Sequence, residues 1–253
     1  MATSMEQTFN LLIRVELAYA LFAFVSCFLI IAPYGRHARA GWGPTISARR
    51  AWILQELPAF AVIIGFYLYY RGYTNVTATV FLLIWQAHYV HRTFIYPNQM
   101  SGGAKPYPLL IALFGVAFNA MNGMLHGIEL FSLRQYPLNW LWSPQFLVGV
   151  AIFVAGYRIN KKSDATLRRL RSNGKGYQVP HGGLYERISC PNYFGEILEW
   201  LGWAILTWSV AGFAFFLFTV ANLLPSAISH HRWYRDTFEN YPRIRRALIP
   251  FLL

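Results

Sequence analysis

Apolar stretches of about 20 residues recur along this chain, and that is the length an α-helix needs to cross the hydrocarbon core of a bilayer. Seven windows meet it: 8–32, 52–70, 76–96, 108–131, 144–160, 192–209 and 211–229. The last two are divided only by a turn near Val210, Ala211 and Gly212, so a re-entrant arrangement and a count of six stay open. The chain therefore reads as an all-α polytopic membrane protein, a seven-transmembrane-helix bundle forming a single domain over residues 1–253. Composition agrees with lipid as the solvent, since 56% of residues are hydrophobic, 18% aromatic and only 13% charged. The net charge of +12 is not the footprint of a nucleic-acid binder. Its cations lie in the gaps between apolar runs, as the positive-inside rule places them.

Those cations fix an expected orientation. Arg36, Arg39, Arg49 and Arg50 occupy the first gap, Lys105 the third, and Lys161 through Arg187 the long fifth, while Arg232 to Arg246 follow the last span. The second and fourth gaps hold only Arg71 and Arg134, and the sixth none. The N-terminus is thus expected outside and the C-terminus in the cytoplasm. Residues 1–7 lack a basic leader region, so the first apolar run reads as a retained span. Cys27 and Cys190 make neither a disulfide framework nor a metal-ligand spacing, and no metal is expected. In the fifth gap, residues 160–190 read as a loop with structure of its own: a basic helical stretch from Asp164 to Arg171, then turns at Asn173-Gly174 and Gly182-Gly183.

A passive anchor has no use for ionisable groups at mid-bilayer, each of which costs from about 2.5 kcal/mol upward. This chain has several. Gln55 and Glu56 fall one turn into the second span. Gln86, His88, Tyr89, His91, Arg92 and Tyr96 crowd into the third. Asn119, Asn122, His126 and Glu129 form a stripe on the fourth, Asn160, Asp164, Arg168 and Arg171 another at the end of the fifth, and Asn192, Glu196 and Glu199 a third on the sixth. Dipole pairing of Glu56, interhelical hydrogen bonding by the asparagines and a lipid-facing basic loop are the bland alternatives. Carboxylates and amides beside guanidinium groups suit the ribose, base and phosphates of a nucleotide, and the stripes are expected to converge on one cytoplasm-facing cavity. The chain carries no G-x-G-x-x-G, Walker lysine, H-E-x-x-H or nucleophile-elbow motif, so a cofactor would be held within the helical bundle itself.

Over nearly its whole length the chain resembles the steroid 5α-reductases (3-oxo-5α-steroid 4-dehydrogenases), in a bacterial-type form. The likeness lies in the segment Ala51 to Phe60, in His88-Tyr89-Val90-His91-Arg92-Thr93-Phe94-Ile95-Tyr96, and in Lys105-Pro106-Tyr107-Pro108. It continues through Asn160 to Asp164, Gly182-Gly183-Leu184, Asn192 to Ile197 with Glu199-Trp200, and His230-His231-Arg232-Trp233-Tyr234 on to Tyr241-Pro242 and Ala247 to Pro250. The C-terminal part of this pattern is shared with sterol reductases and membrane isoprenylcysteine methyltransferases.

The resemblance implies NADPH entering from the cytoplasm, a Δ4-3-ketosteroid entering from lipid, hydride passing to C5, and an enone oxygen held by the catalytic pair Glu56 and Tyr89. It implies cofactor contacts at Asn160, Asp164, Arg171, Tyr177, Asn192, Glu196, His230 and Tyr234, with Trp52, Arg92 and Lys105 as weaker correspondences. Substrate contacts fall at Gln55, Glu56, Tyr89, Phe118 and Asn119. The family's basic residue ahead of the His-His-Arg run is replaced here by Pro225-Ser226-Ala227, so Arg168, Arg169 and Arg171 are expected to supply that grip. The partners implied are a steroid or other enone lipid and membrane lipid, with a monomer in a bacterial inner membrane or an endoplasmic reticulum. An S-adenosylmethionine-dependent membrane methyltransferase would leave Glu56 and Tyr89 idle. A transporter would call for broken, pseudo-symmetric helices, which the sequence does not show.

Overall fold

The computed structural model describes residues 2–30, 39, 41–172 and 176–253, so Arg36, Lys175 and the turn at Asn173-Gly174 lie outside the described residues. The architecture is helical: α1 (Ala2–Leu29), α2 (Ala48–Tyr69), α3 (Val76–Val90), a short α4 (Tyr96–Gln99), α5 (Leu109–Ile128), α6 (Pro144–Ser172), α7 (Pro191–Thr207) and α8 (Val210–Thr237). Four of these, α1, α2, the helical run containing α5, and α8, are long and apolar enough to cross a membrane. A two-stranded antiparallel ribbon, β1 (Thr45–Ser47) with β2 (Pro106–Pro108), ties the start of α2 to the start of α5. Ser47 ends that ribbon and caps α2, its hydroxyl accepting from the Arg50 amide at 3.4 Å.

The closest contact in the fold is between α6 and α7. Glycine recurs every seven residues on both helices, at Gly149 and Gly156 and at Gly195 and Gly202. A Cβ added at any of the four would sit 2.4–2.5 Å from a backbone nitrogen of the opposing helix. Only glycine permits two helices to meet backbone to backbone in this way. The seam holds Asn160 at one end within reach of α7.

Two expectations are corrected here. Residues 160–171 are not a separate stretch in a loop, because α6 runs unbroken to Ser172. Nothing in Asn160 to Arg171 breaks a helix: the segment has neither proline nor glycine, and its cations sit at the negative end of the helix dipole. Second, the α7–α8 boundary falls at Trp208 and Ser209, ahead of the expected turn. Trp208 takes a left-handed conformation (φ 49°), and Ser209 caps α8 by accepting from Gly212. Glu129 reinforces the boundary from α5's end, accepting from the amides of Val210 at 3.0 Å and Ala211 at 2.7 Å. Glu129 is therefore a cap across helices.

Helix α1 lies against α5 and α8 through side chains instead. Tyr19 stacks on Phe118 (5.7 Å) and on Phe218 (5.8 Å), and Ser132 donates to the Met5 sulfur at 3.0 Å.

Candidate active site

Helix α3 delivers two sets of polar side chains to two different neighbours. Tyr89 is 2% exposed and stacks on Trp85 at 4.8 Å. His88, beside it, is bonded through Nδ1 to Glu199 Oε1 of α7 at 2.8 Å. A single π-turn, His91–Ile95, follows and carries Arg92 as its second residue. The wider turn re-aims the helix, as π-turns at functional positions do. The Arg92 guanidinium lies between the rings of Trp52 (4.9 Å) and Tyr96 (5.0 Å), 3.9 Å from Glu56 Oε1 and 3.8 Å from Glu196 Oε1. A planar, permanently charged group is suited to stacking on aromatics while facing two carboxyls. Arg92 thereby joins Glu56, on α2, to Glu196, on α7.

The network continues through α6. Asn160 Nδ2 donates to the Asn192 carbonyl at 3.0 Å and to Glu196 Oε2 at 3.2 Å, and Asn192 Nδ2 donates to Asp164 Oδ1 at 3.3 Å. Two cavities flank it. The larger, about 230 Å³, is lined by Trp52, Tyr96, Lys105, Arg168, Arg171 and Tyr177 among others. The smaller, about 50 Å³, is bounded by Arg171, Asn192, His230 and Tyr234. Arg171 is a wall of both. The twelve positions that the sequence assigns to a cofactor thus fall into one connected region: five around the larger cavity, three more around the smaller, and Asn160, Asp164, Glu196 and Arg92 in the network between.

Three polar atoms in this region are buried without a hydrogen-bond partner in the protein: Arg168 Nη1, Trp52 Nε1 and Asn160 Oδ1. Buried polar groups in folded proteins are almost always bonded, so these three stand out, and Trp52 and Arg168 both line the larger cavity. Arg169 is exposed and lines neither cavity.

The expected substrate positions are arranged differently. Asn119 donates to the Gln55 carbonyl at 2.7 Å and Gln55 Oε1 accepts from the Tyr107 hydroxyl at 3.4 Å, so these groups tie α2 to α5 and to β2. Phe118 is stacked on Phe218 at 3.7 Å. Sequence reasoning missed three features. The His88–Glu199 pair joins residues 111 positions apart, and His91 Nδ1 lies 2.8 Å from Lys161 Nζ. Glu16, wholly buried on α1, is the third. The first two combine residues visible in the stripes, but nothing in the chain announces which stripe faces which.

Long apolar helices around a charged, hydrogen-bonded interior flanked by cavities are the frame of a membrane protein with a polar site inside it. A family profile described as 3-oxo-5-alpha-steroid 4-dehydrogenase matches residues 105–253. Among curated relatives, the chain is 41% identical over 230 residues to steroid 5-alpha-reductase DET2 of Arabidopsis thaliana, covering 87% of each chain. It is 40% identical over 265 residues to 3-oxo-5-alpha-steroid 4-dehydrogenase 1 of Macaca fascicularis, covering both chains fully, and 42% identical over 225 residues to 3-oxo-5-alpha-steroid 4-dehydrogenase 2 of Rattus norvegicus, covering 87% and 88%. The chain belongs to the 3-oxo-5-alpha-steroid 4-dehydrogenase family, oxidoreductases acting on a carbon–carbon bond.

Proposed function

We propose that this protein reduces the Δ4 double bond of 3-oxo-Δ4 steroids to give 3-oxo-5α-steroids, with NADPH as reductant. The observation that carries the reading is the position of Arg92, which joins the Glu56 carboxyl to Glu196 and so makes one polar site of the proposed catalytic pair and the cofactor wall. The donor set fits a dinucleotide phosphate. Arg168, Arg171 and Lys105 supply cations for phosphate oxygens, which favours NADPH over NADH, while Trp52 Nε1 and Asn160 Oδ1 supply the donor and acceptor that an amide or ribose needs. Tyr177, Asp164, Asn192, Glu196, His230 and Tyr234 complete the lining.

NADPH held by these residues would supply a hydride for C5 of the enone, and a proton taken up at C4 of the resulting enolate would complete the reduction. The chain's own part is electrostatic: an enone accepts hydride only as charge on its oxygen is stabilised, and preorganised donors in a dry site do this at least reorganisation. Tyr89, held by the Trp85 and Trp200 rings, is the donor to that oxygen. Glu56 completes the pair, and Arg92 holds the Glu56 carboxyl in position. Gln55 and Asn119 fix the α2–α5 wall beside it, and Phe118 gives the substrate an aromatic face. The site is proposed to lie within a single seven-span domain, monomeric, with its cofactor cavities and C-terminus on the cytoplasmic side and its N-terminus outside.

The test is turnover by the purified protein of 3-oxo-Δ4 steroids, followed by NADPH absorbance, with the product identified as the 5α isomer. Methyl transfer from S-adenosylmethionine in place of NADPH oxidation would overturn the reading.

A further inference from the structure

The segment that follows α8, residues 238–253, turns back and lands beside the start of α7. The Cys190 amide donates to the Ala247 carbonyl at 3.2 Å, the Ser189 amide to the Arg246 carbonyl at 2.8 Å, and the Arg246 amide to the Arg187 carbonyl at 2.9 Å. Cys190, Ala227, Ala247 and Leu248 form one small core, with Leu224 and Ile228 of α8 packed against it. Ala227 lies close to the end of the apolar run at 211–229, just ahead of His230-His231-Arg232. The segment is therefore anchored at the level where the apolar surface of α8 gives out.

At that level it turns apolar side chains outward. The amides of Leu248 and Ile249 both donate to the main-chain oxygen of Leu253 at 2.7 Å, closing a tight turn. Within it Phe251 takes a left-handed backbone (φ 66°), which a bulky side chain rarely adopts, and Phe251 and Leu252 are 75% and 76% exposed. Internal packing does not explain strain that displays a phenyl ring instead of covering it. The Arg187 guanidinium lies over that ring at 5.2 Å. Arg243 and Arg246 are exposed as well, whereas Arg245 is buried against the Pro180 carbonyl. Between residues 238 and 253 the only acid is Glu239.

Exposed apolar side chains beside cations, at the edge of an apolar layer, are the complement of a phospholipid surface, with acyl chains on one side and phosphates on the other. The excess of guanidinium over carboxylate singles out acidic headgroups. We propose that residues 243–252, together with Arg187, form a docking site for acidic phospholipid. Phe251 and Leu252 enter the leaflet, and Arg187, Arg243 and Arg246 meet the headgroups.

The test uses the full chain carrying Cys27→Ser, in bilayer discs of phosphatidylcholine alone or with about one third phosphatidylglycerol. Leu252→Cys reports entry into the leaflet through its rate of reaction with an uncharged, water-soluble maleimide. Asn240→Cys, exposed on the same segment, is the control. Phosphatidylglycerol is expected to slow labelling of Leu252→Cys at least about fivefold, the worth of one arginine near an acidic surface, and to leave Asn240→Cys unchanged. Adding Arg243→Gln and Arg246→Gln should return the rate to its value in the neutral discs. Equal rates in the two discs overturn the proposal. So does protection that persists in the doubly substituted arginine variant, which would place another protein surface, such as a second copy, over the segment. Slower labelling in neutral discs on adding inorganic phosphate alone would make the cluster a site for a free anion, and overturns it too. Should the arginine variant not fold, loss of protection at about 1 M salt, where headgroup attraction is screened, supports the proposal and its persistence overturns it.

Discussion

The α6–α7 seam and the α1 seam solve the same problem, joining helices in lipid, in opposite ways. At α6–α7 the helices meet backbone to backbone at four glycines, which fixes their spacing. At α1 the contact is made by stacked rings and sulfur, and only 11% of the helix's apolar stretch is buried. The first geometry fixes Asn160 and Asp164 against Asn192 and Glu196 to within hydrogen-bond tolerance, as the proposed cofactor of constant shape would require. The second leaves a wall of side chains that can repack, as would suit the proposed lipid substrate. Rigidity lies on the side proposed for the cofactor.

The comparison is broken most directly at a glycine. Gly156→Val places a branched side chain where a Cβ alone would be 2.4 Å from the Glu199 amide, so Tm is expected to fall by about 10 °C or more, or the protein to lose monodispersity in size-exclusion chromatography. A Tm within about 2 °C of wild type would mean that the seam yields like α1. Where the two regions meet, Tyr89→Phe should leave Tm and NADPH affinity intact while slowing hydride transfer by about 10² to 10⁴-fold, the usual worth of a positioned acid. Single-turnover absorbance measures this, and an unchanged rate would make Tyr89 a packing residue.

Glu196→Gln sharpens the rigid side. The unliganded Tm should fall by a few degrees, because the Arg92 guanidinium loses one of its facing carboxylates, while the NADPH Kd rises several-fold or more as a charge-assisted contact becomes neutral. Melting curves with and without saturating NADPH separate the two effects; a full ligand-induced shift in the variant removes Glu196 from the cofactor site. The smallest effect is expected in the connection from α6 to α7. The Gly182 amide donates to Glu186 at 2.7 Å and Arg245 and His181 lie nearby, which together hold the Glu186 carboxyl below its ordinary value of 4.5. A depressed folded pKa means the contribution is present above that ordinary value and is lost as pH falls through the folded one. Glu186→Gln should therefore lower Tm by about 1 °C at pH 7, with the difference shrinking as pH falls below 4.5. A constant difference across that range would assign the effect to shape instead of charge.

The apolar stretches were legible because length and hydropathy are local properties. Their ends were less so. The sequence stops the fifth stretch at residue 160 where apolarity ends, but a helix ends where hydrogen bonding is interrupted, and α6 continues to Ser172 on polar residues. The polar stripes were read correctly as stripes and incompletely as partners. Asn119 and Glu129 share a periodicity, yet one binds α2 and the other caps α8. Glu16 escaped notice because a lone acid in an apolar run resembles Arg14, two residues earlier, which is exposed; which of the two faces the bundle depends on what α1 packs against.

The π-turn at His91–Ile95 makes α3 a helix with one residue more than its path demands. Each residue of an α-helix turns the chain by about 100°. Removing Thr93, Phe94 or Ile95 would restore a regular spiral, leaving His88, Tyr89 and Arg92 on their present bearing while swinging Tyr96 about a quarter-turn away from Trp52 and from the Arg92 guanidinium. The two halves of the site would both survive, each well folded and correctly furnished, but no longer addressed to one another. In this chain a single inserted amino acid acts as a hinge pin of sequence: it lets one rod keep two compass headings, and a shortening that a length-tolerant loop would absorb unnoticed would here uncouple the residues proposed for the substrate from the aromatic face proposed for the cofactor.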